Sequence, residues 1–384
     1  MTSTGTVPKV SVVIPTYNMS LFVGHAINCV LQQTYQDFEI IVVDDGSTDE
    51  TRAVVSQFLF DKRVRYVHQE NRGNAAARNT GISASVGHFI ALLDADDIWL
   101  SQKLERQLQA LDSHPDCALL GTACYVVDTN DKVKFIMRHP CEDMHIRWAI
   151  LFDSPFVQSS VVFPRALFEE IGPYNTEAGY HAEDYDLWSR FLSQYRAANL
   201  EEPLLLYRRN PQGISHTKWL SQEAQSVAVS ARNMTQLLED SSFTFERARQ
   251  VRYLRGNWPD HWRKDDIEGA IDDLSLIHSR FLAKHKDDLE SHPSVARAIK
   301  NDANQKLLMA SIGLATCGAR SSGLRMLRHA LRAEVGLCLR LTFWGTIALL
   351  ALGPRISGRL VGTARRWRFR QLGLASKSGS ESRS

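Results

Sequence analysis

Phe89-Ile90-Ala91-Leu92-Leu93-Asp94-Ala95-Asp96-Asp97 is a short apolar run that ends in three carboxylates within four residues. An apolar run of this length, without polar alternation, reads as a strand buried on both faces. Its C-terminal end places the acids at the edge of a sheet, where open α/β folds bind ligands. Carboxylates at i and i+2 on a tight turn can converge on one hard divalent cation. An acidic surface loop is the bland alternative, but the buried strand leads straight into these acids.

Working outward, residues 10–100 alternate strand and helix patterns. Val10 to Ile14 and Phe38 to Val43 are buried strands, Val64 to His68 is a shorter one, and His88 to Leu93 is the fourth. Between them, Leu21 to Gln33 has helical spacing of Phe22, Ala26, Ile27, Val30 and Leu31. Thr48 or Asp49 can cap a helix to about Phe60, and Asn74 to Ser85 is Ala-rich and helical. Four strands joined by helices predict a mostly parallel sheet with right-handed crossovers. Further on, Ser101 opens an amphipathic helix, and Ala118 to Val127 and Gln158 to Phe163 read as strands. Pro164 to Ile171 is a helix stopped by Gly172-Pro173, Asp184 to Tyr195 is another, and Pro203 to Arg209 reads as an edge strand.

Past His216 the pattern is helical to about Ala330, which predicts a separate helical appendage. The 384 residues have a net charge of only +2, which gives no case for nucleic-acid binding. That charge is uneven. Residues 354–384 carry eight Lys/Arg and one acid, leaving 37 basic and 42 acidic side chains, a net of −5, in residues 1–353. Just before this basic tail, Leu341 to Gly353 is an apolar run of 13 residues, short of the ~20 that a spanning helix needs. Residues 336–370 therefore read as an in-plane contact with an anionic membrane surface, or as a buried helix, and residues 371–384 as a disordered tail. The six cysteines form no CxxC pair, and the N-terminus lacks an apolar signal region. Both point to reduced thiols and a cytoplasmic protein, peripheral at the inner face of a membrane.

Five motifs occur in order: Pro15-Thr16-Tyr17-Asn18, Asp44-Asp45-Gly46-Ser47-Thr48-Asp49, Asn71-Arg72-Gly73 through Ala77-Arg78-Asn79-Thr80-Gly81, Asp94-Ala95-Asp96-Asp97, and Glu183-Asp184. Together they resemble the family 2 glycosyltransferases, over residues 8–215. The residues alone reach a nucleotide-like ligand and a metal; the resemblance implies sugar transfer on an α/β GT-A fold.

The resemblance also implies roles. Asp45 would bond the nucleotide base, usually uracil, with Pro15, Thr16 and Tyr17 beside base and ribose. Arg78 would lie near the nucleotide, although an Arg paired with a strand-end Asp fits the pattern nearly as well. Asp96 would bind Mg²⁺ or Mn²⁺ directly, Asp94 the ribose or the metal through water, and Asp97 would support the loop. His216 would reach the diphosphate or metal, or be an ordinary histidine. Asp184 would be the base of an inverting reaction, with Glu183 orienting the acceptor; an acidic first turn favoured by the helix dipole is compatible with both. Trp188 could stack on a sugar, but its apolar helix face favours core packing, and His181 is a weaker acceptor-site candidate.

The expected partners are a nucleotide-sugar donor, UDP-linked by the resemblance, and a glycan or lipid-linked acceptor. A nucleotidyltransferase would carry a Gly-rich basic loop after the first strand, and Thr16 to Ser20 has neither feature. A non-catalytic scaffold would be marked by loss of an acid from the tetrad or of Asp184, and all are present. A processive synthase would bring several membrane helices and a QxxRW element, which are absent from the sequence.

Overall fold

The computed structural model describes residues 7–209, 218–255, 263–316 and 319. The chain divides into two compact units, Met1–Val229 and Ser230–Ser384. The first is built on a nine-stranded mixed sheet with the neighbour order β3-β2-β1-β4-β8-β6-β9-β5, and β7 pairs with β6. Strands β1 (Val10–Thr16), β2 (Phe38–Asp44), β3 (Val64–His68) and β4 (Phe89–Leu92) are mutually parallel. Helices α1 (Val23–Leu31), α2 (Thr51–Ser56) and α3 (Asn74–Ser83) alternate with them.

The side-chain period of two explains the buried strands. Val10, Val12 and Ile14 of β1 face the layer of α1, with Ala26, Ile27 and Val30. Val13 and Leu92 face the opposite layer, which holds Leu187, Trp188 and Phe191. Each face thus has a helical cover, and the one polar side chain within residues 10–14, Ser11, is buried and donates to Glu39 of β2 at 2.6 Å. Helix α3 lies unusually close: a Cβ on Gly81 would stand 2.3 Å from Val13 Cγ1. The register aligns Thr16 with Asp44, and Val13 with Leu92. The C-terminal ends of β1, β2 and β4 therefore line one sheet edge, with Asp45 and Asp94 just beyond it.

After the fourth strand the sheet becomes mixed. A two-residue strand β5 (Ile98–Trp99) is followed by α4 (Lys103–Ser113), β6 (Cys117–Val127), β7 (Val133–Met137) and α5 (Asp143–Ala149). A 3-10 turn at Gln158–Ser160 leads to β8 (Val162–Pro164), α6 (Arg165–Ile171), α7 (Glu183–Gln194) and β9 (Arg196–Arg208). β8 runs antiparallel to both β4 and β6, whereas β9 runs parallel to β6. The segment expected as an edge strand, Pro203–Arg209, belongs instead to the long β9, which is covered on both sides by β6 and β5. Its proline falls where the β6–β9 register shifts, between Thr122 and Ala123, so the missing N–H meets an irregular stretch of ladder. β5, β7 and α5 have no signal of their own in the sequence pattern.

The second unit is helical throughout its described residues. The boundary falls inside α8 (Trp219–Leu238), followed by α9 (Phe245–Tyr253), α10 (Lys264–Lys284), α11 (Lys286–Ser291) and α12 (Pro293–Thr316). Ile267, Ile271, Leu274 and Ile277 of α10 are buried at helical spacing. No described helix is long and apolar enough to cross a membrane. The expected membrane segment 336–370 and the tail 371–384 lie outside the described residues.

Candidate active site

Two carboxylate clusters stand at the carboxyl ends of the parallel strands, and they are built differently. At the end of β2, Asp45 is buried and turned onto the loop that precedes α3. Its Oδ1 accepts from the Arg72 N–H at 3.0 Å and Gln69 Nε2 at 2.6 Å, and its Oδ2 accepts from the Gly73 N–H at 2.7 Å. The turn closes because Gly46 and Gly73 adopt φ of 82° and 88°, a region that disfavours side chains. Asp44 is also satisfied: Ser47 N–H donates to its Oδ1 and Tyr66 OH to its Oδ2. Asp49 accepts from the Thr51 N–H at the first turn of α2, and from Ser20 N–H across the crevice.

Beside this cradle, Pro15 is buried past Val13, the last residue of β1 in register with β4. The Thr16 carbonyl accepts from the Asp45 N–H, but the buried Thr16 Oγ1 has no partner. Tyr17 is exposed, and Asn18, at φ 51°, ties this corner to the next loop by accepting from Thr48 N–H.

Beyond β4 the acids are crowded rather than satisfied. The Asp97 N–H donates to the Asp94 carbonyl and closes a tight turn. Asp97 is buried and accepts from Ser159 Oγ at 2.5 Å and from the Arg208 N–H at 2.8 Å. Burial and the charges of Asp96 and Asp94 still push its carboxyl well above the usual range. Asp96 has no comparable set of donors; burial, then the charge of Asp94, lifts it to about 6. The turn is braced from outside by Arg208, whose Nε donates to the Asp96 carbonyl and whose guanidinium pairs with Asp131 at 2.5 Å. Ser159 braces it from within, accepting from the Asp94 N–H while donating to Asp97.

Asp184 and Glu183 open α7 and complete the site. Asp184 accepts from the Tyr185 N–H at 2.7 Å. Burial, then the charge of Glu183, raises its carboxyl to about 7. Arg78, 4% exposed, links this pair to the acid turn: one terminal nitrogen lies 2.8 Å from Asp94 and the other 2.9 Å from Glu183. Burial opposes its charge, but the two carboxylates outweigh that and hold its pKa above the ordinary value. Asn79, next along α3, donates to the Tyr174 carbonyl and accepts from the Tyr174 N–H. That clamp sets the Tyr174 ring 5.7 Å from the Arg78 guanidinium.

The structure thus gathers Asp94, Asp96, Arg78, Glu183 and Asp184 into one cluster, with Asp45 and Thr16 in a neighbouring cradle. Trp188 is fully buried against Phe156, Phe163 and Tyr174, the core role its helix face predicts. His181 spends its backbone N–H on Gln225. His216 lies outside the described residues. Sequence reasoning missed Ser159 and Arg208, brought to the turn from far along the chain, and Tyr174, brought against Arg78. Among the described residues no three His, Cys, Asp or Glu side chains gather as a metal cage. Two crowded carboxylates with few donors of their own do fit a cation whose remaining positions are filled by phosphate oxygens and water.

A profile described as glycosyl transferase family 2 matches residues 11–172. An uncharacterized glycosyltransferase of Rickettsia felis is 35% identical over 204 residues, 51% of this chain but 32% of that protein. The chain thus spans about a third of the length of that relative. Glycosyltransferase GlyG of Streptococcus pneumoniae serotype 4 is 31% identical over 225 residues, covering 55% of this chain and 74% of GlyG. The S. aureus TarS fragment 1–349, solved with UDP-GlcNAc, superposes with a TM-score of 0.51 at 18% identity, over 78% of this chain and 90% of that one. The structural likeness shows the GT-A fold, and with the profile and GlyG it establishes that the chain belongs to glycosyl transferase family 2.

Proposed function

We propose that the protein is an inverting glycosyltransferase that moves a sugar from a nucleotide-sugar donor, UDP-linked, to a hydroxyl of a glycan or lipid-linked acceptor. The observation that carries this reading is the Arg78 fork that joins the acid turn to Glu183, next to Asp184, whose carboxyl burial and Glu183 raise to about 7. A base poised near neutral pH can take a proton in the transition state and release it afterwards. Asp184 removes the proton of the acceptor hydroxyl as that oxygen bonds to the anomeric carbon. The bond from that carbon to the diphosphate breaks, and its electron pair leaves with the nucleoside diphosphate.

Asp96 and Asp94 would hold a divalent cation, Mn²⁺ or Mg²⁺, which supplies charge stabilisation for the departing diphosphate. Asp45 would meet the base: Oδ2 accepts one bond and retains room for a base N–H. The orphaned Thr16 Oγ1 and the exposed Tyr17 suit ribose and base contact. TarS was solved with UDP-GlcNAc, which supports the choice of a UDP-linked donor. The basic, apolar C-terminal sequence would seat the protein on an anionic membrane near its acceptor.

The test is release of nucleoside diphosphate from UDP-, GDP- and dTDP-sugars with Mn²⁺, Mg²⁺ or EDTA. Metal-dependent turnover of one donor, lost in Asp184→Ala, is expected. Absence of both binding and turnover with every donor would overturn the reading in favour of a non-catalytic scaffold.

A further inference from the structure

Arg78 lies where the family resemblance expects a residue near the nucleotide, yet it is buried and its guanidinium is turned to carboxylates. Both terminal nitrogens are engaged by carboxylates, on Asp94 and Glu183. Nε is buried without a partner, and the Tyr174 ring covers the guanidinium at 5.7 Å. A planar fork spanning two carboxylates from different elements fixes their separation as well as their charge. One carboxylate stands on the turn after β4, the other on the first turn of α7, next to the base.

We propose that Arg78 is a positioning residue that ties the donor turn to the acceptor base, acting through Glu183 on Asp184 rather than by binding phosphate. The inference rests on Asp184 being the base. Four groups face Asp184: Glu183 from its own helix, Arg78 from α3, Asp153 from the loop after α5, and Tyr174 from the loop after α6. Glu183 and Asp153 raise its affinity for a proton and Arg78 lowers it. Arg78 also holds Glu183 in place, so the guanidinium decides how strongly the neighbouring negative charge is felt. Without it, Glu183 would stand uncompensated, Asp184 would hold its proton to higher pH, and the site would contain fewer active base molecules near neutrality.

The test is a carboxyl titration of the full chain labelled with ¹³C-aspartate, with the Asp184 signal assigned from Asp184→Asn. Arg78→Gln should move the Asp184 midpoint up by about one pH unit, a roughly tenfold change in proton affinity. Arg78→Lys, which keeps the charge, should recover at least half of that shift. Glu183→Gln should move the midpoint down; it leaves the Arg78–Asp94 pair intact and carries the test alone if Arg78→Gln does not fold. Calorimetric binding of UDP with Mn²⁺ should change by less than about threefold in Arg78→Gln, because the guanidinium is not a phosphate ligand. An unmoved midpoint in these variants would overturn the proposal. A UDP affinity lowered tenfold or more in Arg78→Gln would instead make Arg78 a phosphate ligand. Should the wild type neither bind nor turn over any donor, the enzymatic reading fails, while the titration still decides what Arg78 does to Asp184.

Discussion

Asp45 and Asp96 are both buried or half-buried acids placed just past a parallel strand, and both come from Asp-rich motifs, Asp44-Asp45 and Asp94-Ala95-Asp96-Asp97. Their surroundings are opposite. Asp45 accepts three hydrogen bonds, two of them from backbone N–H groups. Asp96 has the charge of Asp94 beside it and is lifted to about 6. A buried acid surrounded by donors stabilises a loop; a buried acid surrounded by acids is destabilising until a cation or proton arrives. The first cluster is an assembled framework, and the second keeps unspent negative charge at the sheet edge.

The widest departure between the clusters should appear in activity. Asp184→Asn should lower kcat by about 10²–10⁴-fold, the usual contribution of a general base, and leave UDP binding unchanged. A steady-state assay together with calorimetry checks both halves. Stability separates the clusters next. Asp45→Ala leaves the Arg72 and Gly73 N–H groups and Gln69 without their acceptor, and should cost about 3 kcal/mol in urea unfolding. The same measurement on Asp96→Ala should show no loss, since that change removes repulsion. Equal losses at both positions would erase the contrast.

The acid cluster should also leave a mark on stability against pH. An acid whose folded pKa is raised binds its proton more tightly folded than unfolded, so folding is favoured as pH falls. Asp184, at about 7 in the fold, should therefore make the protein more stable as pH drops from about 7 toward 4 in EDTA, on the order of a few kcal/mol. Asp184→Asn should flatten that slope. Asp49, held at about 2 by hydrogen bonds from Thr51 and Ser20 that outweigh its burial, works the other way and loses its contribution only in stronger acid. The smallest effect belongs to Arg72→Ala. Its backbone N–H, not its exposed side chain, serves Asp45, so stability should stay within about 0.5 kcal/mol.

The four parallel strands and their helices were legible because β1, β2 and β4 are buried on both faces and are mostly apolar. The acids were legible for the complementary reason: a carboxylate after such a strand has no place in the core. What escaped was set by long-range pairing. β5 is two residues long and exists only because β9 pairs with it, at Ile98 with Leu206 and Trp99 with Leu205. Ser159 and Arg208 reach the acid turn from 62 and 111 residues away from Asp97, and a serine in a 3-10 turn has no local mark of that task. Asn79 clamps the backbone of Tyr174, 95 residues on, a task with no local mark in the sequence. Gly81 packs α3 onto β1.

The central claim is that the turn after β4 holds unspent charge for a cation and its diphosphate, whereas the turn after β2 does not. Calorimetric titration of UDP, with Mn²⁺ and with EDTA, into the wild type and Asp96→Ala tests it most directly. The account predicts Mn²⁺-dependent binding to the wild type, lost in Asp96→Ala although that variant stays as stable as the wild type. Equal binding by the two proteins with Mn²⁺, or binding by the wild type that EDTA leaves unchanged, would contradict it.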